Sequence, residues 1–278
     1  MGLDLITGGC QDLLFMSKRL LLGVNRVRRT RFYCIGTGKS GTHSIAEMFS
    51  TNVRSRHEAQ SAEVMERIMG WRGGRVDDQS MREWLRRRDR ELALEVDSST
   101  FNFELLDLLL QEFPDALYLL TIRDCYSWLN SLINHRIRFK GKHAARLKWR
   151  ESRFGSDRAA EHAPEEQVLK DKGLATLDTH LAHWVSRNTQ VLAKVPASRL
   201  MTVRTDQITQ RAFEIADFAG LPRRAVRLDH THAFQTPVKH DLIRTIDRPF
   251  LEQKVQHHCL PLMHQFFPEI RSLDDAML

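Results

Sequence analysis

The stretch RFYCIGTGKSGTHSIAEMF, Arg31 to Phe49, constrains the fold more tightly than any other part of the chain. Four residues suited to a buried strand, Phe32 to Ile35, run into the turn Gly36-Thr37-Gly38-Lys39-Ser40-Gly41, and an amphipathic helix opens at Thr42. A strand, a glycine-rich turn and a helix in that order bring backbone N–H groups and the positive end of a helix dipole to one point, which makes an anion site. Lys39 adds a point charge, and Ser40, Thr42 and Ser44 add hydroxyls. The spacing excludes one familiar version of such a site. A nucleoside-triphosphate loop G-x-x-x-x-G-K-[ST] with Lys39 as its lysine requires glycine six residues earlier, where this chain has Tyr33. A shorter phosphate cradle remains.

Apolar runs elsewhere alternate with helical periodicity. Strands are predicted at 31–35, 53–57, 92–96, 117–122 and 199–204, and helices at 42–51, 60–70, 79–89, 101–112, 124–138, 175–194, 207–219 and 247–258. Short buried strands separated by helices imply an α/β fold, a mostly parallel central sheet flanked by helices, in a single domain over 1–278. A chain of 278 residues that is 42% hydrophobic suffices for one such core. Ligands on these sheets bind at the carboxyl ends of the strands. Lys39, Glu58, Asp97 and Arg123 each follow a predicted strand and are expected to converge on one edge.

The formal charge of +7 favours anionic ligands or acidic partners. The run LRRRDR at 85–90 reads as the exposed end of a helix, and no nucleic-acid partner is expected. Four scattered cysteines, Cys10, Cys34, Cys125 and Cys259, form no ligand or disulfide framework and point to a reduced, cytoplasmic chain. Residues 1–30 read as an N-terminal helical extension. Its apolar run is broken by Lys18-Arg19 and is too short for a transmembrane segment, and no basic leader precedes it. Its basic end at Arg26, Arg28 and Arg29 admits peripheral membrane contact, but a helix packed on the domain is the favoured reading. Residues 139–172 are highly charged and read as an insertion, either a lid or a solvated loop. The late histidines His230, His232, His257 and His258 lack an acidic or cysteine partner at a recognised offset, so no metal site is expected.

A second constellation lies in ALYLLTIRDCYSWLNSLINHR, Ala116 to Arg136. Arg123 follows the buried strand, Asp124 is suited to cap the next helix, and Ser131 stands eight residues after Arg123. A guanidinium fork and a hydroxyl so placed can grip one phosphate. Taken with GKSGTHS, Gly38 to Ser44, this pair resembles the sulfotransferase superfamily, whose donor is 3′-phosphoadenosine 5′-phosphosulfate (PAPS). The resemblance spans about residues 30–220, including a Trp-containing helix and a strand closed by an acidic turn in THLAHWVSRNTQVLAKVPASRLMTVRTDQI. It is closer to the carbohydrate-modifying and bacterial branches than to the cytosolic aryl branch, whose YPKSGTT and later Arg-Lys-Gly motif are not found here.

The resemblance implies a P-loop-like sulfotransferase fold, in-line sulfuryl transfer without a metal, and a carbohydrate or small-molecule acceptor. It implies that Gly38, Lys39, Ser40, Gly41, Thr42, His43 and Ser44 hold the phosphosulfate, with Lys39 on the leaving oxygens, and that Arg123 and Ser131 hold the 3′-phosphate. The acceptor's proton requires a base. Glu58 is favoured from the position of the carbohydrate-branch Glu, with His57 as the alternative and Asp97 third. Trp184 either stacks on adenine or packs in the core. Two other classes compete with this reading: a nucleotide kinase or NTPase with a degenerate loop, and a non-catalytic anion- or glycan-binding scaffold.

Overall fold

The computed structural model describes residues 27–138, 149, 161–231 and 240–276. Five strands form the sheet: β1 (Phe32–Cys34), β2 (Ser55–His57), β3 (Val96–Ser98), β4 (Leu117–Ile122) and β5 (Leu200–Arg204). Their order is β2-β3-β1-β4-β5, and every pairing is parallel. The α-helices among the described residues are α1 (Thr42–Phe49), α2 (Ser61–Arg72), α3 (Asp78–Leu92), α4 (Leu106–Glu112), α5 (Cys125–Arg138), α6 (Gln167–Asp171), α7 (Leu177–Lys194), α8 (Ala212–Phe218) and α9 (Arg248–Phe266).

The strands alternate their side chains between two cores, as a sheet covered on both faces must. Phe32 and Cys34 pack with Ile45, Met48, Leu119, Val203 and Ile215 on the side of α1 and α8. Tyr33, Ile35, Tyr118 and Leu120 pack with Ile68, Met81, Trp84 and Leu109 on the side of α2, α3 and α4. A third apolar cluster joins α5, α7 and α9 through Trp128, Leu181, Trp184 and Leu251. β1 is central, and the chain leaves it towards β2 on one side and later returns to β4 on the other. The loops after β1 and β4 therefore diverge at a switch point, where an open α/β sheet forms its crevice.

Five sequence expectations need correction. The third strand lies at 96–98, not 92–96, because α3 continues to Leu92 and ends on Ala93 in the left-handed region. The helix expected at 101–112 is a 3-10 turn, Thr100–Phe103, capped by Ser99, followed by α4. The helix expected at 207–219 is regular only from Ala212, and that expected at 247–258 continues past Pro261 to Phe266. The charged insertion is not all solvated. Trp149 is buried edge-on to Phe101, Leu169 sits in the third cluster, and Glu166 accepts a hydrogen bond from the N–H of Leu177. The remainder of 139–160 and residues 1–26 lie outside the described residues. Of the basic N-terminal end, Arg28 is ion-paired to Asp89.

Candidate active site

The loop after β1 is shaped by contacts that only its own residues permit. A β-carbon on Gly36 would stand 2.0 Å from Thr121 Oγ1 and 2.7 Å from the Thr121 carbonyl oxygen, so β1 and β4 approach closely only over glycine. Gly41 caps α1 with φ 98, where a β-carbon would also meet Ile208 at 2.5 Å. Lys39 has φ 72, a left-handed backbone that costs a side-chain-bearing residue energy. No side chain caps α1, and the first helical bond runs from Ile45 N–H to Gly41 O. The N–H groups of Thr42, His43 and Ser44 precede that bond and make up the N-terminal turn of α1, the positive end of its dipole.

Ser40 departs from its expected role. Its hydroxyl is fully buried, donates to Thr37 O (2.7 Å) and meets Thr121 Oγ1 (2.9 Å), and its N–H also goes to Thr37 O. It builds the loop and presents neither group outward. Two residues that sequence reasoning missed complete the clamp. Trp128 Nε1 donates to Gly38 O (2.9 Å), and Thr205 Oγ1 donates to Ser40 O (2.7 Å) and Ile122 O (3.1 Å). The loop is thereby tied to α5 and to the ends of β4 and β5.

Positive charge gathers over this loop. Burial, then the guanidiniums of Arg123 and Arg138, lower the Lys39 ammonium to about 8. Arg123 is itself pushed down by burial, opposed by Asp124 and Asp206. Arg138, the last residue of α5, had no signal beyond its position on that helix. Arg123 Nε donates to Ser127 Oγ (3.0 Å), whose hydroxyl bonds the carboxylate of Asp124. Asp124 also accepts from Ser127 N–H and so caps α5 as expected. Ser131 is half-buried one turn beyond Ser127, which places the two serines on one face of α5 with Arg123 bonded at its N-terminal end.

Across the loop stands the end of β2. His57 Nδ1 lies 3.1 Å from Ser98 O, and its ring stacks on His43 with centroids 4.7 Å apart. Burial is the main cause lowering its pKa, so the ring is neutral near pH 7. Glu58 follows with φ 48, its N–H bonded to Ser98 O (3.0 Å) and its Oε1 accepting from Thr100 Oγ1 (3.1 Å). The Thr100 methyl lies 3.8 Å from where a Gly38 β-carbon would stand, so the residue that bonds Glu58 packs against the anion loop.

Two expected residues are not part of this group. Asp97 does not follow its strand but is the middle residue of β3, buried and ion-paired to Arg88 at 2.7 Å. Its charge serves the core beneath the site. Trp184 is fully buried and donates to Arg123 O (3.1 Å), so it is a core residue that holds the site's backbone. Among the late histidines, His258 pairs with Asp178 at 2.7 Å, and His232 lies outside the described residues. Among the described residues, no three His, Cys, Asp or Glu side chains cluster as metal ligands, and no helix is long and apolar enough to cross a membrane.

No family model matches the chain, and no curated protein matches it. Among solved structures it is similar to a sulfotransferase from Alicyclobacillus acidocaldarius, at 16% sequence identity and a TM-score of 0.47. That match covers 86% of this chain and 97% of the other. Independently of any relative, this chain is a five-stranded parallel α/β protein with a cationic, glycine-built loop at the switch point of its sheet.

Proposed function

We propose that the protein is a sulfotransferase that moves the sulfuryl group of PAPS to a hydroxyl or amine of a carbohydrate or other small-molecule acceptor. The observation that carries this reading is the electrostatic grouping of Lys39, Arg123 and Arg138 at the glycine-built loop that opens α1, with the Glu58 carboxylate held by Thr100. Partly desolvated like charges that lower one another's pKa favour a multiply charged anion. The G-K-S-G-T loop and the R-x7-S pair, which resemble the sulfotransferase motifs, narrow that anion to the nucleotide donor. When bound, the donor supplies an activated sulfuryl group whose departure leaves charge on a phosphate oxygen.

The residues divide the work by position. The N–H groups of Thr42, His43 and Ser44 hold the phosphosulfate, on a loop whose turn into α1 needs the left-handed Gly41. Lys39 neutralises the leaving oxygen, the kind of fixed electrostatic stabilisation that dominates group transfer. Arg123, with Ser131 and the Ser127 hydroxyl beside it, grips the 3′-phosphate. Glu58 takes the acceptor's proton, and His57, neutral and one residue away, is the second choice.

Calorimetric titration with adenosine 3′,5′-bisphosphate, against ATP with Mg²⁺, tests the reading. Metal-independent preference for the bisphosphate is expected. Preference for Mg·ATP would make this a nucleotide kinase or NTPase, and binding of neither would make it a scaffold. With the donor site secured, Glu58→Gln is expected to lower turnover and leave donor affinity intact. Full activity in that variant would move the base to His57.

A further inference from the structure

The carboxylate proposed as the base stands at the end of a partly buried polar relay that begins on a distant helix. Glu58 has a left-handed backbone, which a side-chain-bearing residue adopts at a cost. Its Oε1 accepts from Thr100 Oγ1 at 3.1 Å. Thr100 opens a 3-10 turn rather than a full helix, and its carbonyl accepts from Arg187 Nη2 at 2.7 Å. Arg187 lies on α7, 87 residues away, and is itself buried. Its Nη1 pairs with Glu104 Oε1 at 2.6 Å, and its guanidinium lies 3.9 Å from the centre of the Phe103 ring. Arg72 binds the same Glu104.

A buried guanidinium is a costly way to hold a turn. Burial is the main effect on Arg187, and it works against the charge that Glu104 supports. Core stability does not require such an arrangement, since apolar residues of similar volume commonly serve as well or better. What the arrangement does supply is orientation. A planar fork held by a carboxylate, a carbonyl and an aromatic face has one geometry, and it fixes the turn whose hydroxyl bonds Glu58.

We infer that Thr100 and Arg187 are positioning residues for sulfuryl transfer: Arg187 fixes the Thr100 turn, and the Thr100 hydroxyl orients the Glu58 carboxylate beside the Gly38–Lys39 loop. This rests on the reading of Glu58 as the base. Neither residue touches donor or acceptor in this scheme, so their loss shows in turnover and not in donor binding.

The test uses the full chain with Thr100→Val, which removes only the hydroxyl, and Thr100→Ser, which keeps it. Thr100→Val is expected to lower kcat about ten- to a hundredfold, as a misaligned catalytic group does, with unchanged affinity for adenosine 3′,5′-bisphosphate. Thr100→Ser is expected to restore kcat to near the wild-type value, and Arg187→Lys to lower kcat in the manner of Thr100→Val. Wild-type kcat in Thr100→Val would overturn the inference. So would a parallel loss of kcat and nucleotide affinity, which would make Thr100 a builder of the loop, or a Ser variant as slow as Val. Failure of the functional reading is separable, because it appears as an inactive wild type. A thermal-unfolding cycle of Thr100→Val and Glu58→Ala then decides the relay without turnover. Non-additive shifts in Tm are expected from the bonded pair, and additive shifts would refute it.

Discussion

Burial and neighbouring guanidiniums make the Lys39 ammonium easier to deprotonate, and that makes its proton a reporter of anion binding. Burial and the guanidiniums of Arg123 and Arg138 bring its ammonium from 10.5 to about 8. A phosphate group beside it reverses the second effect, so the complex holds the proton more tightly than the free protein does. The sign follows directly: binding takes protons up. At pH 8 about half of the free molecules carry the neutral amine, so each binding event captures about half a proton; at pH 7 the figure falls to about a tenth, and at pH 9 it rises to about nine tenths. The nucleotide's own phosphate titrates near pH 6 and is silent across pH 8 to 9. Calorimetry with adenosine 3′,5′-bisphosphate in buffers of different ionisation enthalpy counts the protons. Affinity is expected to fall with rising pH above 8, approaching tenfold per pH unit, and Lys39→Met is expected to abolish the uptake. Zero uptake at pH 8–9 in the wild type, or the same uptake in Lys39→Met, would refute the assignment of this charge to the binding site.

Further predictions follow from the same geometry. Lys39→Met is expected to stabilise the free protein at pH 7: a fall from 10.5 to about 8 sets a ceiling of about 3 kcal/mol, and partial exposure reduces this to about 1–3 kcal/mol. In the wild type this group's contribution rises with pH between about 8 and 10.5, where the unfolded chain is protonated and the folded one is not; denaturant melts at pH 7 and 10 compare the two proteins. Arg123→Ala is expected to weaken bisphosphate binding by on the order of 1–3 kcal/mol, and unchanged calorimetric affinity would remove Arg123 from the site. Glu58→Gly is expected to exceed Glu58→Ala in stability by about 1 kcal/mol, because both lose the Thr100 bond but only glycine accepts φ 48 freely. Gly36→Ala is expected to cost at least about 1–3 kcal/mol, since the clash includes the Thr121 backbone; a wild-type Tm would contradict the close approach of β1 and β4.

The parts of this molecule that were readable in advance are those whose cause is local. A buried parallel strand is a run of apolar residues, and a glycine turn before a helix signals itself, so β1, its loop, β4 and Arg123 stood where expected. The third strand was displaced because Leu92-Ala93-Leu94 has the apolar look of a strand, while α3 holds Leu92 and only a left-handed Ala93 lets the chain turn. Asp97 misled for a different reason. A carboxylate in a core strand reads as a site residue until its partner, Arg88 on the preceding helix, is seen beside it. Trp128, Thr205 and Arg187 escaped notice because each acts on a backbone carbonyl far away in sequence, which neither periodicity nor motif encodes.

The Thr205 clamp also sets an order in time. Its hydroxyl bonds the carbonyl of Ser40 across 165 residues, and Arg123 and Trp128 join the loop from 80 to 90 residues downstream of it. During synthesis the glycine loop emerges well before any of them, and contacts of such separation form slowly. Until β5 docks, the loop's carbonyls and its strained Lys39 lack the partners that hold them. The anion site is therefore a late product of folding, and its first appearance in a refolding experiment should coincide with completion of the sheet rather than with formation of the first strand, turn and helix.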